Sequence, residues 1–260
     1  MRGVVTVFGH FGEWLQGRMG EDGPVALVTL PCPALRIQAP AEAGSEPPLF
    51  GPADLRRFAQ MLGIAPDFPR ISRNFASGLG AGASTATLVA LARAAGFRGD
   101  AETLAAACLA IEGATDPLMY PQPDRLLWAS REARVLRHIP PPPPCEILGG
   151  FWGAPQRTDP SDSGFDDISD LVAQWDDPAC DLPRRAALAS DSARRCSARR
   201  GPACPTPDLA RELGALGWLR AHTGSARGLI FAPGTVPARA ADALAEAGLT
   251  GILNFRAGEA

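Results

Sequence analysis

The sequence contains no lysine, and all 25 basic residues among its 260 are arginines. This absence excludes the Walker A loop, which uses a lysine to bind the phosphates of a nucleotide. It also excludes the strand lysine of protein kinases and a Schiff-base lysine for pyridoxal phosphate. A phosphate site in this chain must therefore rely mainly on backbone N–H groups.

Closely spaced metal ligands are also lacking. The six cysteines form no C-x-x-C pair and the three histidines are scattered, the residues being Cys32, Cys108, Cys145, Cys180, Cys196, Cys204, His10, His138 and His222. This spacing argues against a zinc site and predicts reduced thiols in a cytosolic protein.

Long apolar runs and a strong charge of either sign are missing as well. No stretch approaches the roughly 18 apolar residues that span a bilayer, and the first residues show no cleavable leader pattern. The net charge of −3 gives no general attraction to nucleic acid or to anionic membranes. We therefore expect a cytoplasmic protein with neither nucleic acid nor membrane as a partner.

The composition is that of a globular protein rich in turns. Apolar residues make up 46% of the chain and charged residues 20%, while 28 glycines and 26 prolines account for about a fifth. A chain of 260 residues has room for one large domain or two modest ones.

The first half of the chain predicts a sheet followed by helices. Apolar runs punctuated by glycines predict strands at Val4–Phe8, Pro24–Leu30 and Ala34–Ala39, with a further short strand in Arg70–Phe75. Helical spacing and suitable caps predict helices at Pro52–Gly63, Ser84–Ala95 and Asp100–Gly113.

A run of prolines at Ile139–Pro144 favours an extended conformation and predicts a boundary between domains at 1–139 and 140–260. A ligand for a proline-binding module is the alternative interpretation. The second half then predicts a strand at Glu146–Trp152 and a solvated, aspartate-rich stretch at Asp159–Asp181. Helices at Pro183–Arg199, Pro207–Leu216 and Pro237–Ala247, with strands at Gly217–His222, Ala226–Ala232 and Gly251–Phe255, suit a split β-α-β sandwich.

A glycine-rich stretch, ASGLGAGASTATLVALARAAG at Ala76–Gly96, feeds directly into an apolar helix. Glycines let the backbone approach an anion, and a helix N-terminus offers free amides and the positive end of a dipole. Ser84 and Thr85 stand where the loop meets the helix and could add hydroxyls to a phosphate or a magnesium ion. The alternative is a loop that only lets the helix pack closely against a sheet.

Two further stretches carry candidate chemistry. In IEGATDPLMYP, Glu112 and Asp116 place two carboxylates a few residues apart, which suits magnesium binding and general-base work. In AHTGSARGLIF, Arg227 follows a turn of small and polar residues and could meet an anion. A solvated helix end and a plain hairpin are the corresponding structural alternatives.

Taken together, six stretches resemble the GHMP kinases, small-molecule kinases that bind ATP without a Walker lysine. Within that superfamily the sequence is most similar to the L-threonine kinases of cobalamin biosynthesis and propanediol utilisation. The matching stretches keep the family order and are GHFGEWLQG (Gly9–Gly17), GAGASTATL (Gly80–Leu88), IEGATDPLMYP (Ile111–Pro121), EILGGFWGAPQRTD (Glu146–Asp159), LASDSARR (Leu188–Arg195) and ELGALGWLRAHTGSARGLIF (Glu212–Phe231).

The resemblance implies an α+β fold with an N-terminal ATP-binding domain and a C-terminal ferredoxin-like domain. It implies ATP and Mg²⁺ as cofactors, and transfer of the γ-phosphoryl group to the hydroxyl of L-threonine. The ATP-phosphate loop would comprise Gly80, Gly82, Ala83, Ser84 and Thr85. Ser84 and Glu112 would bind the metal, and Asp116 would be the general base, with Glu112 as the second catalytic carboxylate.

The substrate side is implied in the same way. The candidate residues are Glu13, Gln16, His222, Thr223, Gly224, Ser225 and Arg227. Charge complementarity would pair Glu13 with the threonine ammonium and Arg227 with its carboxylate. Another small hydroxyl substrate such as homoserine, or a degenerate homologue that binds nucleotide without catalysis, remains an alternative. The oligomeric state is left open, with a homodimer as one option.

The sequence departs from the family pattern at three places. Gly82 and Ala83 replace a small pair in the loop, and Thr87 stands where the family carries an aspartate. A second register would align Gly78–Gly80 with the family loop and leave Ala81 and Gly82 where serines belong. The run Arg194–Ser197 replaces an amide-bearing pair, which bears on substrate recognition.

Overall fold

Two antiparallel sheets organise the protein, as seen in a computed structural model that describes residues 3–41, 49–201 and 203–258. The first sheet has the strand order β1-β2-β4-β5, with β3 paired to β2. Its strands are β1 (Val5–Arg18), β2 (Val25–Ala39), β3 (Ser72–Arg73), β4 (Leu126–Ala129) and β5 (Arg134–His138).

Strands β1 and β2 form one long hairpin, whereas the sequence predicted three shorter strands. Of the glycines that punctuate this part of the sequence, Gly20 and Gly23 lie in the turn between β1 and β2, but Gly9, Gly12 and Gly17 lie inside β1. The pairing register of β1 shifts after Phe8 and between His10 and Glu13. Gly9 sits so close to the following elements that a Cβ there would lie 2.5 Å from the Ala81 carbonyl oxygen. The glycines inside β1 therefore allow close approach of another chain segment, not a reversal of the strand.

The predicted helices of the first half are present within one or two residues. They are α1 (Pro52–Leu62), α2 (Ala83–Ala94) and α3 (Ala101–Glu112), and a 3₁₀ turn follows at Pro123–Arg125. The Asp100 carboxylate caps α3 by accepting a hydrogen bond from the Thr103 N–H at 2.6 Å. Gly113 ends the same helix in the left-handed conformation. Helix α2 is buried almost all round, which its alanine-rich sequence permits.

The second sheet has the order β7-β8-β6-β9, the arrangement of a ferredoxin-like split β-α-β sandwich. Its strands are β6 (Cys145–Phe151), β7 (Gly217–Arg220), β8 (Ala226–Phe231) and β9 (Thr250–Ala257). The helices of this half are α4 (Ser169–Trp175), α5 (Leu182–Arg200), α6 (Thr206–Leu213) and α7 (Ala240–Glu246). No helix in the described part of the chain is long and apolar enough to cross a membrane.

The sequence analysis also missed one hairpin and was wrong about one stretch. The β4–β5 hairpin was missed because its buried strand, Leu126–Ala129, is only four residues long. Helix α4 lies inside the stretch that we expected to be solvated, because Leu171, Val172 and Trp175 form a buried face among the aspartates. Those aspartates pair with arginines of α5 as Asp162–Arg200, Asp166–Arg199 and Asp170–Arg195.

One large apolar core joins the two sheets. Phe11 of β1 has no exposed surface, and its ring centroid lies 5.6 Å from that of Phe151 and 5.8 Å from that of Phe255. The Pro140 carbonyl at the start of the proline run accepts hydrogen bonds from Trp175 and Arg185. The sheets lie on either side of that run, and the division at 139/140 stays a prediction.

We expect Phe11→Ala to lower the free energy of unfolding by about 3–5 kcal/mol, because it opens a cavity where the two sheets meet. Phe8→Ala on the same strand is the matched control, since Phe8 is 47% exposed. Its loss should be roughly 1 kcal/mol or less. Urea unfolding of both variants measures the difference, and similar losses would contradict the role of Phe11 in joining the sheets.

Candidate active site

The glycine-rich loop adopts a backbone conformation that favours glycine. Gly78, Gly80 and Gly82 have φ angles of +81°, +72° and +67°. Gly82 is the N-cap of α2, so the helix begins immediately after the loop. The first N–H groups of a helix have no intrahelical acceptor, and they lie at the positive end of its dipole. This arrangement suits a bound anion.

Both sheets hold the loop through backbone hydrogen bonds. From β1, the N–H groups of His10 and Gly12 donate to the carbonyl oxygens of Ala81 and Gly80 at 3.2 and 3.1 Å. From the β7–β8 hairpin, Ser225 and Ala226 both donate to the Leu79 carbonyl oxygen, at 3.1 and 2.9 Å. The late hairpin therefore faces the loop, in direct contact with its main chain.

Glu112 is bonded to the start of α2. The Ser84 hydroxyl donates to Glu112 Oε2, and the Thr85 hydroxyl donates to Glu112 Oε1 at 2.7 Å. The Asp116 N–H in turn donates to the Thr85 hydroxyl oxygen at 3.2 Å. Burial raises the pKa of Glu112 to about 8, although these hydroxyls oppose the shift. The two predicted carboxylates are thus held together at the end of the glycine loop.

A histidine that the sequence analysis did not select completes this cluster. His10 is buried, and its Nε2 lies 3.2 Å from Asp116 Oδ2 while its Nδ1 lies 3.2 Å from the Gly12 carbonyl oxygen. The Glu13 carboxylate is also near, with Oε1 at 3.9 Å from Nδ1. Burial raises the pKa of Glu13 to about 7. The only sequence signal for His10 was its position inside the first matching stretch.

These groups line a cleft of about 290 Å³ between the two halves of the chain. Loop residues Gly80–Thr85 form one wall, with Glu13, Gln16, Glu112 and Asp116 beside it. Arg131 and Arg157 also line the cleft, and they are two further residues that the sequence analysis missed. The Arg131 guanidinium donates to the carbonyl oxygens of Asp159 and Pro160, which ties it to the loop that follows β6.

The residues of the late hairpin divide into two groups. Thr223 lines the cleft with Glu13 and Gln16, whereas His222, Gly224, Ser225 and Arg227 lie behind it. The His222 backbone N–H donates to Glu13 Oε2 at 3.4 Å, and the His222 ring stacks on that of Phe165. Arg227 is buried and donates to the carbonyl oxygens of Gly224 and Ala226. These four residues therefore support the loop and Glu13 from behind.

The oxygen donors at the cleft suit Mg²⁺. No group of three or more His, Cys, Asp or Glu side chains arranged to hold a metal occurs among the residues that the structure describes. Mg²⁺ is commonly bound by one or two carboxylates together with substrate phosphates and water. Ser84 and Glu112, in direct contact beside the free helix amides, offer such a partial set.

Comparison with known proteins identifies the fold. No protein-family model matches the chain, and no curated protein matches it. Among solved structures, mevalonate kinase from methicillin-resistant Staphylococcus aureus MRSA252 is 16% identical, with a TM-score of 0.58 and 99% of each chain covered. Homoserine kinase from Cytophaga hutchinsonii is 16% identical, with a TM-score of 0.53, covering 99% of this chain and 95% of that one.

A third structure, a 4-(cytidine 5'-diphospho)-2C-methyl-D-erythritol kinase, is 20% identical with a TM-score of 0.53, covering 99% of this chain and 100% of the other. These similarities extend over the full length of the chain and not over one half alone. They confirm the predicted α+β fold of the GHMP kinases.

We expect Gly80→Ala to destabilise the protein more than Gly214→Ala, although both glycines have nearly the same φ, +72° and +69°. A Cβ on Gly80 would meet Ala221 and lie 2.5 Å from the Thr223 carbonyl oxygen, whereas nothing lies within 4 Å of a Cβ on Gly214. Both variants carry the strain of a left-handed alanine, and only Gly80→Ala adds overpacking of about 1–3 kcal/mol. Equal losses in urea unfolding would contradict the close contact between loop and hairpin.

Proposed function

We propose that the protein is an ATP-dependent small-molecule kinase whose acceptor is the hydroxyl of an amino acid, with L-threonine as the preferred substrate. The observation that carries this proposal is the hydrogen-bonded set of Ser84, Thr85, Glu112 and Asp116 at the N-terminus of α2. It combines an anion-binding backbone, a partial magnesium site and a carboxylate in one cleft, on a fold shared with several small-molecule kinases.

The nucleotide phosphates are bound chiefly by backbone in this proposal. The loop residues Gly80–Thr85 line the cleft, and the first N–H groups of α2, which have no intrahelical acceptor, lie there with the positive end of the helix dipole. Arg131 and Arg157 also place guanidinium groups in the lining of the cleft. The absence of lysine is therefore compatible with binding a triphosphate.

Ser84 and Glu112 would hold Mg²⁺ through the hydroxyl and carboxylate oxygens that now contact each other. When bound, the ion would neutralise charge on the phosphate oxygens as the phosphoryl group moves. The Thr85 hydroxyl, which donates to the other oxygen of Glu112, fixes the orientation of that carboxylate. In this proposal the Ser84 hydroxyl binds the metal, whereas the Thr85 hydroxyl orients the Glu112 carboxylate that binds it.

Asp116 is the general base in this mechanism. The acceptor hydroxyl oxygen forms a bond to the γ-phosphorus, the bond from that phosphorus to the bridging oxygen of ADP breaks, and the hydroxyl proton passes to the Asp116 carboxylate. The backbone at Asp116 is anchored to Thr85 at 3.2 Å, and Asp116 Oδ2 contacts His10. Asp116 Oδ1 is the other carboxylate oxygen and is the proposed proton acceptor.

An amino acid fits the charges that line the cleft. Glu13 is a buried carboxylate in the lining, where a substrate ammonium would favour its ionised form against the effect of burial. The substrate carboxylate needs a cation, and Arg131 and Arg157 face the cleft whereas Arg227 lies behind the hairpin. We therefore transfer that role from Arg227 to these two arginines. Homoserine carries the same three groups and is the second candidate substrate.

A coupled ADP-release assay tests the acceptor. We expect Mg²⁺-dependent turnover with the highest kcat/KM for L-threonine, lower values for L-serine and L-homoserine, and none above background for L-2-aminobutyrate. The last compound has the ammonium and carboxylate of threonine but no hydroxyl, so it is the matched control. Preference for an alcohol without an ammonium group, such as mevalonate, would contradict the amino-acid assignment. A protein that binds ATP but turns over none of these acceptors would be a non-catalytic homologue.

We expect Asp116→Asn to lower kcat by about 10²–10⁴ with little change in ATP affinity, because the amide keeps the shape of the side chain but accepts no proton. Asp208→Asn is the control, since Asp208 is 79% exposed on α6, away from the cleft. Measurements of kcat, ATP affinity and Tm over a magnesium series separate the mechanisms. Recovery of activity at high magnesium would make Asp116 a metal ligand, and activity within about threefold of the parent would remove it from the mechanism.

A further inference from the structure

Phe165 contributes an aromatic ring to the lining of the cleft. It lies in the segment between β6 and α4, and only 7% of the residue is exposed. The other aromatic residue of the lining is Phe50, which lies just before α1. Neither phosphate binding, nor metal binding, nor proton transfer in the proposed mechanism uses the ring of Phe165.

The ring of Phe165 and the backbone around it are held in place. Arg200 of α5 donates a hydrogen bond to the Gly164 carbonyl oxygen at 2.7 Å, and its guanidinium carbon lies 4.6 Å from the Phe165 ring centroid. Directly after Phe165, the Asp166 carbonyl oxygen accepts a hydrogen bond from the Arg18 N–H of β1 at 2.7 Å. The ring is therefore a fixed part of the cleft lining.

The neighbours of the ring are the charged groups that suit the two ends of an amino acid. The His222 ring stacks on that of Phe165, with centroids 6.1 Å apart and planes 17° apart, and the His222 backbone N–H donates to the Glu13 carboxylate. The guanidinium carbon of Arg131 lies 5.7 Å from the Phe165 ring centroid. Glu13, Arg131 and Phe165 all line the cleft, so they border the same part of it.

An α-amino acid bound by these groups would place its side chain beside the ring. Glu13 would bind the ammonium group and Arg131 the carboxylate. Because both groups are attached to one carbon atom, that carbon and the side chain it carries would lie next to Phe165.

We propose that Phe165 is a specificity-determining residue for the acceptor: its ring bounds the space for the amino-acid side chain and limits the substrate to a short β-hydroxy amino acid. This role rests on the proposed kinase function and deepens it. L-Threonine and L-serine carry the hydroxyl on the first side-chain carbon, whereas L-homoserine carries it one carbon further out. One methylene more or less in an apolar pocket changes specificity by about 10–200-fold, which is enough to separate these substrates.

Two amino acids that lack a hydroxyl test this role without turnover. L-2-Aminobutyrate has the carbon skeleton of threonine, and L-norvaline is one methylene longer. We expect calorimetric titration of the parent protein, with Mg²⁺ and ADP present, to show binding of L-2-aminobutyrate about 10-fold or more tighter than that of L-norvaline. Phe165→Ala removes the ring, so the two Kd values should become about equal or reverse their order. The affinity for ATP should stay the same.

Kinetics should show the same change in preference. Phe165→Ala should lower kcat/KM for L-threonine by about 10-fold, chiefly through KM, and should raise kcat/KM for L-homoserine relative to that for L-threonine. Phe165→Leu keeps an apolar group of shorter reach and should give intermediate ratios. Phe97→Ala is the matched control, since Phe97 is 9% exposed and does not line the cleft. It should lower Tm and leave the ratio of the two Kd values unchanged.

An unchanged ratio of Kd values in a folded Phe165→Ala variant would overturn the role of Phe165, even if both affinities fall together, because a purely structural role weakens both ligands alike. Equal binding of the two amino acids by the parent protein would overturn it as well. Either result would leave the kinase function intact, provided that the parent protein phosphorylates L-threonine. If Phe165→Ala does not fold, the titrations of the parent protein and of Phe165→Leu decide the question.

Two other results would concern the kinase function itself. A parent protein that binds neither amino acid and phosphorylates no hydroxy amino acid would overturn the amino-acid kinase function, and with it the role of Phe165. A parent protein that prefers L-2-aminobutyrate through Phe165 but phosphorylates none of the acceptors would overturn the kinase function, while leaving Phe165 as the residue that limits the length of the bound side chain.

Discussion

The position of the glycine loop depends on a backbone contact with both sheets. Two N–H groups from β1 and two from the β7–β8 hairpin donate to carbonyl oxygens of Leu79–Ala81. The approach is so close that glycines are required on both sides, since a Cβ on Gly224 would lie 2.5 Å from the Leu79 carbonyl carbon. Because α2 begins where the loop ends, this contact also fixes Ser84 and Thr85, and through them Glu112.

Much of the fold could be predicted from the sequence because most helices carry clear local signals. Asp100 and Gly113 bracket α3, and Gly63 ends α1, as their caps predict. The β4–β5 hairpin and α4 were missed because their apolar residues are few and their burial depends on partners distant in the sequence. The glycines of β1 were misinterpreted for a related reason, because glycine is favoured both where another segment approaches closely and where the chain reverses.

In the candidate site, too, residues within recognisable stretches could be predicted, whereas a residue whose role depends on a distant partner could not. Ser84, Thr85, Glu112 and Asp116 lie in recognisable stretches, and the structure brings them together. His10 could not be selected because its meaning depends on Asp116, which lies 106 positions later. A buried histidine beside a carbonyl is usually a structural residue, and only the carboxylate on its second nitrogen indicates a chemical role.

The absence of lysine determines which cation can occupy each wall of the cleft. A guanidinium is planar and broad, and it binds carboxylate or phosphate with two parallel hydrogen bonds, which suits the part of the lining formed by Arg131 and Arg157. Beside Asp116 the space is bounded by Gly82 and by the backbone of β1, which leaves room for an imidazole ring. Burial raises the pKa of Glu13 and of Glu112, and the nearby charge of Asp116 adds to both shifts. Because the chain contains no lysine, the basic group that contacts Asp116 in this space is the imidazole of His10.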